Sequence, residues 1–491
     1  MRTIFIIMDS LNRHYLRCYG GDLAITPNID RLAERGTVFD NHYAGSLPCM
    51  PARREMMTGR VNFLETPWSP IQPWDECLPA LMREQRGVYS HMITDHYHYF
   101  HAGGEGYNTV FSSWEFQRGQ EGDIWRPLVE EPPKPEGARG VEGPCRWGYW
   151  RNQTYDPKQR DEDYPTPQCF MRALDFIDRN RETDNWHLHL EVFDPHEPFD
   201  CPQKYLEKYG DRWDRYHFTW PLYGRLDPET DDEEVIEHIR NCYGGTLPMA
   251  DHWLGRLMEK LDEHGMWDDT VVVLTTDHGH MIGERSYWGK QVMPFYNELA
   301  HIPLIVCAPG TEGGGRVQTA LTTTIDLMPT FMDLHGVPVP EHVQGRSLRH
   351  LLDNDELHHE AVIYGGFARD VCLTDGHYSY FRQAREDSWT HHHTMVPRGG
   401  GEFHPLERLE VEYGYFLEYP SARGYPQLRW KEPSLKALDS PEFHMLFDLD
   451  RDPGQQQPMR DPAREHELAT KLRAKLSEFE APDCQYERLA L

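Results

Sequence analysis

Three short stretches of this chain carry residue types that could do chemistry together. Asp9 and the pair Asp277-His278 each follow a continuous apolar run, residues 3–8 and 270–276. Hard and borderline donors of this kind suit one divalent cation of the Ca²⁺ or Mn²⁺ type. Cys49 stands in Leu47-Pro48-Cys49-Met50-Pro51-Ala52-Arg53, with Gly59 six residues past Arg53. Pro51 suits the first turn of a helix and Gly59 its end, so the thiol is expected at or just before a helix N-terminus. Exposed N–H groups and the helix dipole there favour an anion and predict a lowered thiol pKa, and Arg53 projects from the same face. The pattern reads as a nucleophile facing an anion.

Elements that could position these groups follow from the apolar pattern. Runs at 3–8, 88–94, 187–193, 270–276 and 301–306 read as strands covered on both faces, and ligands of open α/β sheets gather outside the carboxyl ends of such strands. Thr26, Pro27 and Gly36 bracket a first helix; further helices are expected over 169–179 and 231–264, the latter with Leu254, Leu257, Met258 and Leu261 on its core face. Residues 112–168 carry Trp114, Trp125, Trp147, Tyr149 and Trp150 without a period and read as a lid or insertion. Beyond a charged boundary at 353–359, residues 371–378 form a hairpin with an Asp375-Gly376 turn, and Leu468, Leu472, Leu476 and Phe479 mark an amphipathic helix. Residues 383–440 read as irregular, and His391-His392-His393 as an exposed loop, since three adjacent side chains face one ion poorly.

Composition narrows the class. The 491 residues carry a net charge of −30, which argues against broad binding to nucleic acid or anionic membranes. No apolar run is long enough to span a bilayer, and the short run at the N-terminus ends at Asp9 with no small-residue cleavage site, so a cytoplasmic protein is expected. Ten cysteines without paired spacing fit reduced thiols.

Cys49-Met50-Pro51-Ala52-Arg53 with Thr58-Gly59-Arg60 resembles the Cys-x-Pro-x-Arg signature of the type I, formylglycine-dependent sulfatases of the alkaline phosphatase superfamily. Asp277-His278-Gly279, with Lys290 downstream, resembles a second block of that family; Asp9-Ser10-Leu11-Asn12 and Asp194-Pro195-His196-Glu197-Pro198 are similar to two more. The resemblance implies that Cys49 is oxidised to formylglycine, whose hydrated aldehyde is the nucleophile. It implies one metal held by Asp9, Asp277, His278 and residue 49, with Ser10 standing where many members carry a second Asp. Arg53 and Lys290 would offset developing negative charge, and His196 would protonate the leaving oxygen. Thr94 and His96 replace the Lys-x-His pair of lysosomal-type members; a Thr in this region is a feature of phosphonate monoester hydrolases. His278, where many sulfatases have Asn, is similar to choline-sulfatase-like and phosphonate-hydrolase-like members.

The implied fold is α/β, a large mixed, mostly parallel sheet flanked by helices, with a smaller C-terminal α+β subdomain. Its expected limits are 1–355 for the catalytic domain and 356–491 for the remainder. The expected function is hydrolysis of a small anionic sulfate ester, after maturation by a formylglycine-generating enzyme, with self-association into a homo-oligomer left open. Two alternatives stand beside it: a phosphonate monoester or phosphodiester hydrolase of the same superfamily, and an anion-binding pseudoenzyme with unmodified Cys49.

Overall fold

The computed structural model describes the chain except residues 102–103, 141–142, 311–313, 400–401 and 404–408. Its centre is an eight-stranded sheet in the order Arg316–Gln318, Thr37–Phe39, Leu304–Cys307, Thr270–Thr275, Arg2–Met8, Trp186–Val192, Tyr89–Thr94, Ser113–Phe116. Every neighbouring pair is parallel except those made by Leu304–Cys307, which runs against both its neighbours.

Alternation explains the continuous apolar runs. Ile4, Ile6, Met8, Val272 and Leu274 pack on one face, against the helices Pro27–Arg35, Pro165–Asn180 and Glu233–Glu263. Phe5, Ile7, Val271 and Val273 pack on the other, against Leu78–Arg86 and Leu327–Leu334. Each strand therefore buries both faces and needs no polar side. Trp186–Val192 departs from this rule: Leu188, Leu190 and Val192 join the first core, while His187, His189 and Glu191 occupy the opposite face, all buried.

A second sheet orders Met445–Asp448, Tyr378–Arg382, Val371–Thr374 and Val362–Gly366 antiparallel and closes on Ser46–Leu47 in parallel. The C-terminal part thus grips the segment that leads into Cys49. The hairpin at Asp375-Gly376 forms as expected, and Leu468, Leu472 and Leu476 are the buried face of the helix Pro462–Glu478.

Two expectations are corrected. His391-His392-His393 is no exposed loop but lies in the strand Trp389–Thr394, paired antiparallel with Gln427–Pro433. Strand alternation puts the His392 ring 4.2 Å from that of Trp430, and His393 donates its N–H to Glu65 O at 2.9 Å. Residues 112–168 are not aperiodic either: they contain the edge strand Ser113–Phe116 and the helix Pro144–Tyr155. Trp114 remains 44% exposed on that edge, its ring 5.2 Å from Phe100. Of the 383–440 stretch, residues 400–401 and 404–408 lie outside the described residues, as do 141–142 of the lid segment.

Candidate active site

The central parallel strands deliver their carboxyl ends to one edge of the sheet. Met8 hands over to Asp9, Thr94 to Asp95-His96, Val192 to Phe193-Asp194-Pro195-His196, and Thr275 to Thr276-Asp277-His278. The helix Cys49–Thr58 points its N-terminus at this edge; its N-cap, Pro48, makes no side-chain cap bond, and Gly59 ends the helix in the left-handed region at φ 64°. The uncapped N–H groups keep that end positive.

Arg53 sits among three buried carboxylates. Its Nε and Nη2 donate to Glu191 Oε1 at 2.8 and 2.6 Å, Nη1 to Asp277 Oδ2 at 2.5 Å, and Nη2 to Asp9 Oδ2 at 2.6 Å. Lys290 Nζ donates to Ser10 Oγ at 3.0 Å, and Ser10 Oγ donates to Asp9 Oδ1 at 2.7 Å. Against the three carboxylates stand the two cations Arg53 and Lys290, an excess of negative charge where burial makes charge costly. Arg53 holds Glu191 down to about 2 against the opposing effect of burial. Burial likewise opposes ionisation of Asp9, but Arg53, His196 and Lys290 hold it well below the usual carboxylate range.

The donor set fits a divalent cation. One ligand atom each from Asp9, Cys49, Asp277 and His278 lie within 4.8 Å of one another, all buried. His278 Nδ1 is 2.9 Å from Gly279 O, an oxygen that can only accept, so the proton is assigned to Nδ1 and the Nε2 lone pair faces the cluster. That Nε2 lies 3.2 Å from Cys49 Sγ and 3.2 Å from Asp277 Oδ2.

Above the cluster opens a cavity of about 530 Å³ whose wall includes Cys49, His196, Lys290, His98, Glu121 and Glu197, with Trp68, Tyr97, Trp220 and Tyr223 as aromatic faces. The sulfatase family model matches residues 2–337, more than half of the chain. This chain belongs to the sulfatase family.

Similar proteins agree with that assignment. An N-acetylglucosamine-6-O-sulfatase of Bacteroides thetaiotaomicron is 26% identical over 72% of this chain and 71% of its own length. An arylsulfatase of Clostridium perfringens is 24% identical over 79% of this chain and 86% of its own. Among solved structures, a protein in complex with its substrate D-glucosamine-2-N,6-O-disulfate superposes with a TM-score of 0.68 at 18% identity, over 98% of both chains. The phosphonate monoester hydrolase of Agrobacterium radiobacter gives 0.67 at 19% identity, over 98% of this chain and 95% of the other. The two structural likenesses carry the fold.

Within this sulfatase the expected site residues divide into two tiers. Cys49, His196 and Lys290 line the cavity; Asp9, Ser10, Arg53, Asp277 and His278 form the buried cluster beneath it. Thr94 and His96 do not reach the cavity wall: the Thr94 hydroxyl accepts the His96 N–H at 2.9 Å, and His96 Nε2 lies 3.5 Å from Asp9 Oδ2. Burial and then Arg53 lower His96 to about 4, so it is neutral at neutral pH. The expectation of a lowered thiol pKa is overturned, since complete burial pushes Cys49 well above its ordinary value and Lys290 only partly offsets this. Burial here outweighs the helix terminus.

Sequence reasoning missed Glu191, Glu197, Glu121 and His98. Glu197 accepts a hydrogen bond from the Tyr223 hydroxyl, and its Oε2 lies 3.4 Å from His196 Nδ1. Glu121, from the lid segment, lies 3.0 Å from His98 Nε2. Glu191 left no mark beyond its place as the last of three polar residues alternating on one face of a buried strand.

Proposed function

We propose that this sulfatase hydrolyses sulfate monoesters of small alcohols, with Cys49 matured to formylglycine by a formylglycine-generating enzyme. One divalent cation of the Ca²⁺ or Mn²⁺ type would be held by Asp9, Asp277, His278 and residue 49. When present, the cation supplies Lewis acidity toward an ester oxygen and the aldehyde hydrate supplies the attacking oxygen.

The remaining steps belong to the chain's own side chains. Lys290, its ammonium fixed on Ser10 Oγ, faces the cavity and offsets negative charge on the non-bridging oxygens. Arg53, clamped by Glu191, Asp9 and Asp277, stays beneath the cavity and holds both metal-type carboxylates in place. His196 Nδ1 is 2.6 Å from Glu197 O, so Nδ1 keeps its proton there, and donation to the leaving oxygen would come from Nε2 of the imidazolium, which then becomes the neutral ring. His96 orients Asp9, and Thr94 orients His96; we assign both to positioning. The aromatic walls suit a leaving alcohol with a flat or ring-shaped face, and Glu121 and Arg146 bring the 112–168 segment into contact with it. We also retain 1–355 and 356–491 as the two domains.

The observation that carries this reading is the convergence of Cys49, Lys290 and His196 on one cavity floored by the Asp9–Asp277–His278–Arg53 cluster. Two measurements test it. Peptide mass spectrometry across residue 49 should find aldehyde; an unmodified thiol in fully active protein would overturn the nucleophile. Matched aryl sulfate, aryl phosphonate and bis-aryl phosphate esters should then rank by kcat/KM with sulfate first. A preference for either phosphorus ester would move the assignment to the phosphonate-hydrolase side.

A further inference from the structure

A second cluster of metal-type donors lies away from the cavity. Asp326, at the start of the core helix Leu327–Leu334, meets His358 and His359, which precede the first strand of the C-terminal sheet. His359 Nε2 is 3.0 Å from both Oδ1 and Oδ2 of Asp326, and His358 Nε2 is 3.4 Å from Oδ2. All three residues are buried, with one ligand atom each within 4.8 Å of the others.

Backbone N–H groups already use part of this carboxylate. Thr323 N donates to Oδ2 at 2.9 Å and Arg346 N to Oδ1 at 2.8 Å, which leaves the remaining lone pairs facing the two imidazoles. Hydrogen bonding to the carboxylate accounts for His359 Nε2 alone. His358 Nε2 has no hydrogen-bond partner although its side chain is only 1% exposed and points at the carboxylate. A buried nitrogen without a partner is costly, and the cost disappears if its lone pair binds a cation.

The spacing supports a cation between the three groups. Bonds of about 2.0–2.1 Å in a tetrahedral site put neighbouring ligand atoms about 3.3 Å apart. The Asp326–imidazole distances of 3.0–3.4 Å bracket that value. A cavity of about 310 Å³ lies beside the cluster, walled by His358, His359 and the helix Pro462–Glu478, while Asp326 stays behind the two imidazoles. Three cations stand on that wall: Lys471 pairs with Asp375 at 2.8 Å, while Lys475 and Arg346 share Glu478 at 2.8 and 3.7 Å.

The geometry points to a second metal site in this chain, in which Asp326, His358 and His359 hold a zinc-type divalent cation that ties the core to the C-terminal sheet. Two imidazoles and one carboxylate favour such a borderline ion over Ca²⁺ or Mn²⁺. The site stands apart from the Asp9–Asp277–His278 cluster and does not depend on the reaction proposed for it.

The test loads the full chain, first stripped with a chelator, by dialysis against Zn²⁺ with excess Ca²⁺ present, and counts zinc by elemental analysis. His358→Gln and His359→Gln should each lose one zinc equivalent relative to the unsubstituted chain, whereas Asp277→Asn should keep that equivalent. Folded His variants that retain the full zinc content would overturn the site. Should those variants fail to fold, crystals of the unsubstituted chain soaked in Zn²⁺ decide the matter. An anomalous-scattering peak bounded by Asp326, His358 and His359 supports the site, and its absence means an ion pair only.

Discussion

Two buried donor clusters lie toward opposite ends of the Cys49–Thr58 helix, and they are built on opposite electrostatic plans. At the N-terminal end three carboxylates, Asp9, Asp277 and Glu191, surround one guanidinium, and Lys290 stands at the rim. Toward the other end, where Gly59 abuts Ile325 and Met328, the single carboxylate of Asp326 faces two imidazoles. The first cluster concentrates charge, so it suits a hard cation and still has Lys290 to meet a substrate anion. The second sets one carboxylate beside two nitrogen donors and opens on a smaller cavity, which suits a borderline ion with no chemistry to perform. Donor type separates them: two carboxylates and one imidazole in the first set, one carboxylate and two imidazoles in the second.

The comparison breaks most visibly at residue 49. Cys49→Ala should lower kcat/KM by about four orders of magnitude or more, because no other side chain in the cavity can take over a covalent role. Its cost to stability should stay near ~1 kcal/mol, the worth of a small buried group. Activity within ten-fold of the parent would sink the proposed nucleophile. Asp9→Asn and Asp277→Asn come next: each removes a charged oxygen and should weaken binding of the catalytic cation by at least about 10²-fold, with turnover falling in step. Metal titration followed by calorimetry checks this, and undiminished affinity in both variants would remove these residues from the ligand set.

Glu191→Gln asks whether Arg53 is merely structural. The substitution keeps the shape but withdraws the charge that holds Nε and Nη2, so Asp9 and Asp277 lose a rigid partner. We expect kcat to fall by about 10²-fold, the cost of a small misplacement of reacting groups, with KM little changed. A purely structural role would lower Tm and leave kcat alone.

The difference between the clusters is also a difference in what sequence can reveal. Asp9 and Asp277-His278 follow uninterrupted apolar runs, so strand content and the position just beyond it announced them. Glu191 was hidden because its strand breaks the apolar rule on one face only. Asp326 and His358-His359 were hidden for another reason: they come from a core helix start and from a charged junction, and only the tertiary fold joins them. Five of the eight strands of the main sheet, the long helices and the hairpin at Asp375-Gly376 carried local signals and formed as expected. The strand around His391–His393 carried none, since its partner Gln427–Pro433 lies more than thirty residues away in an irregular stretch.

Glu55 lies between the two clusters, and it gives the smallest expected effect on turnover. It projects from the middle of the cysteine helix, accepts Ser46 N at 2.6 Å and the Thr324 hydroxyl, and so links the segment before Cys49 to the one before Asp326. Burial raises its carboxyl from the ordinary 4.5 to about 7, despite the hydrogen bonds that oppose the shift. The folded state therefore binds this proton more tightly than the unfolded chain does. Its stabilisation is fully present below pH 4.5 and is lost as pH rises toward 7, an upper bound of about 3 kcal/mol. Asp194, also raised to about 7 by burial, contributes with the same sign in parent and variant, so it cancels in a difference. Glu55→Gln should leave kcat/KM within about two-fold, since the group is remote from the cavity. Its Tm relative to the parent should climb steadily between pH 5 and 7.5, the window set by the rise from 4.5 to about 7. Parallel Tm curves for parent and variant across that window would show that Glu55 stays ionised in the folded chain, and that the two clusters are joined through a charge rather than through a neutral acid.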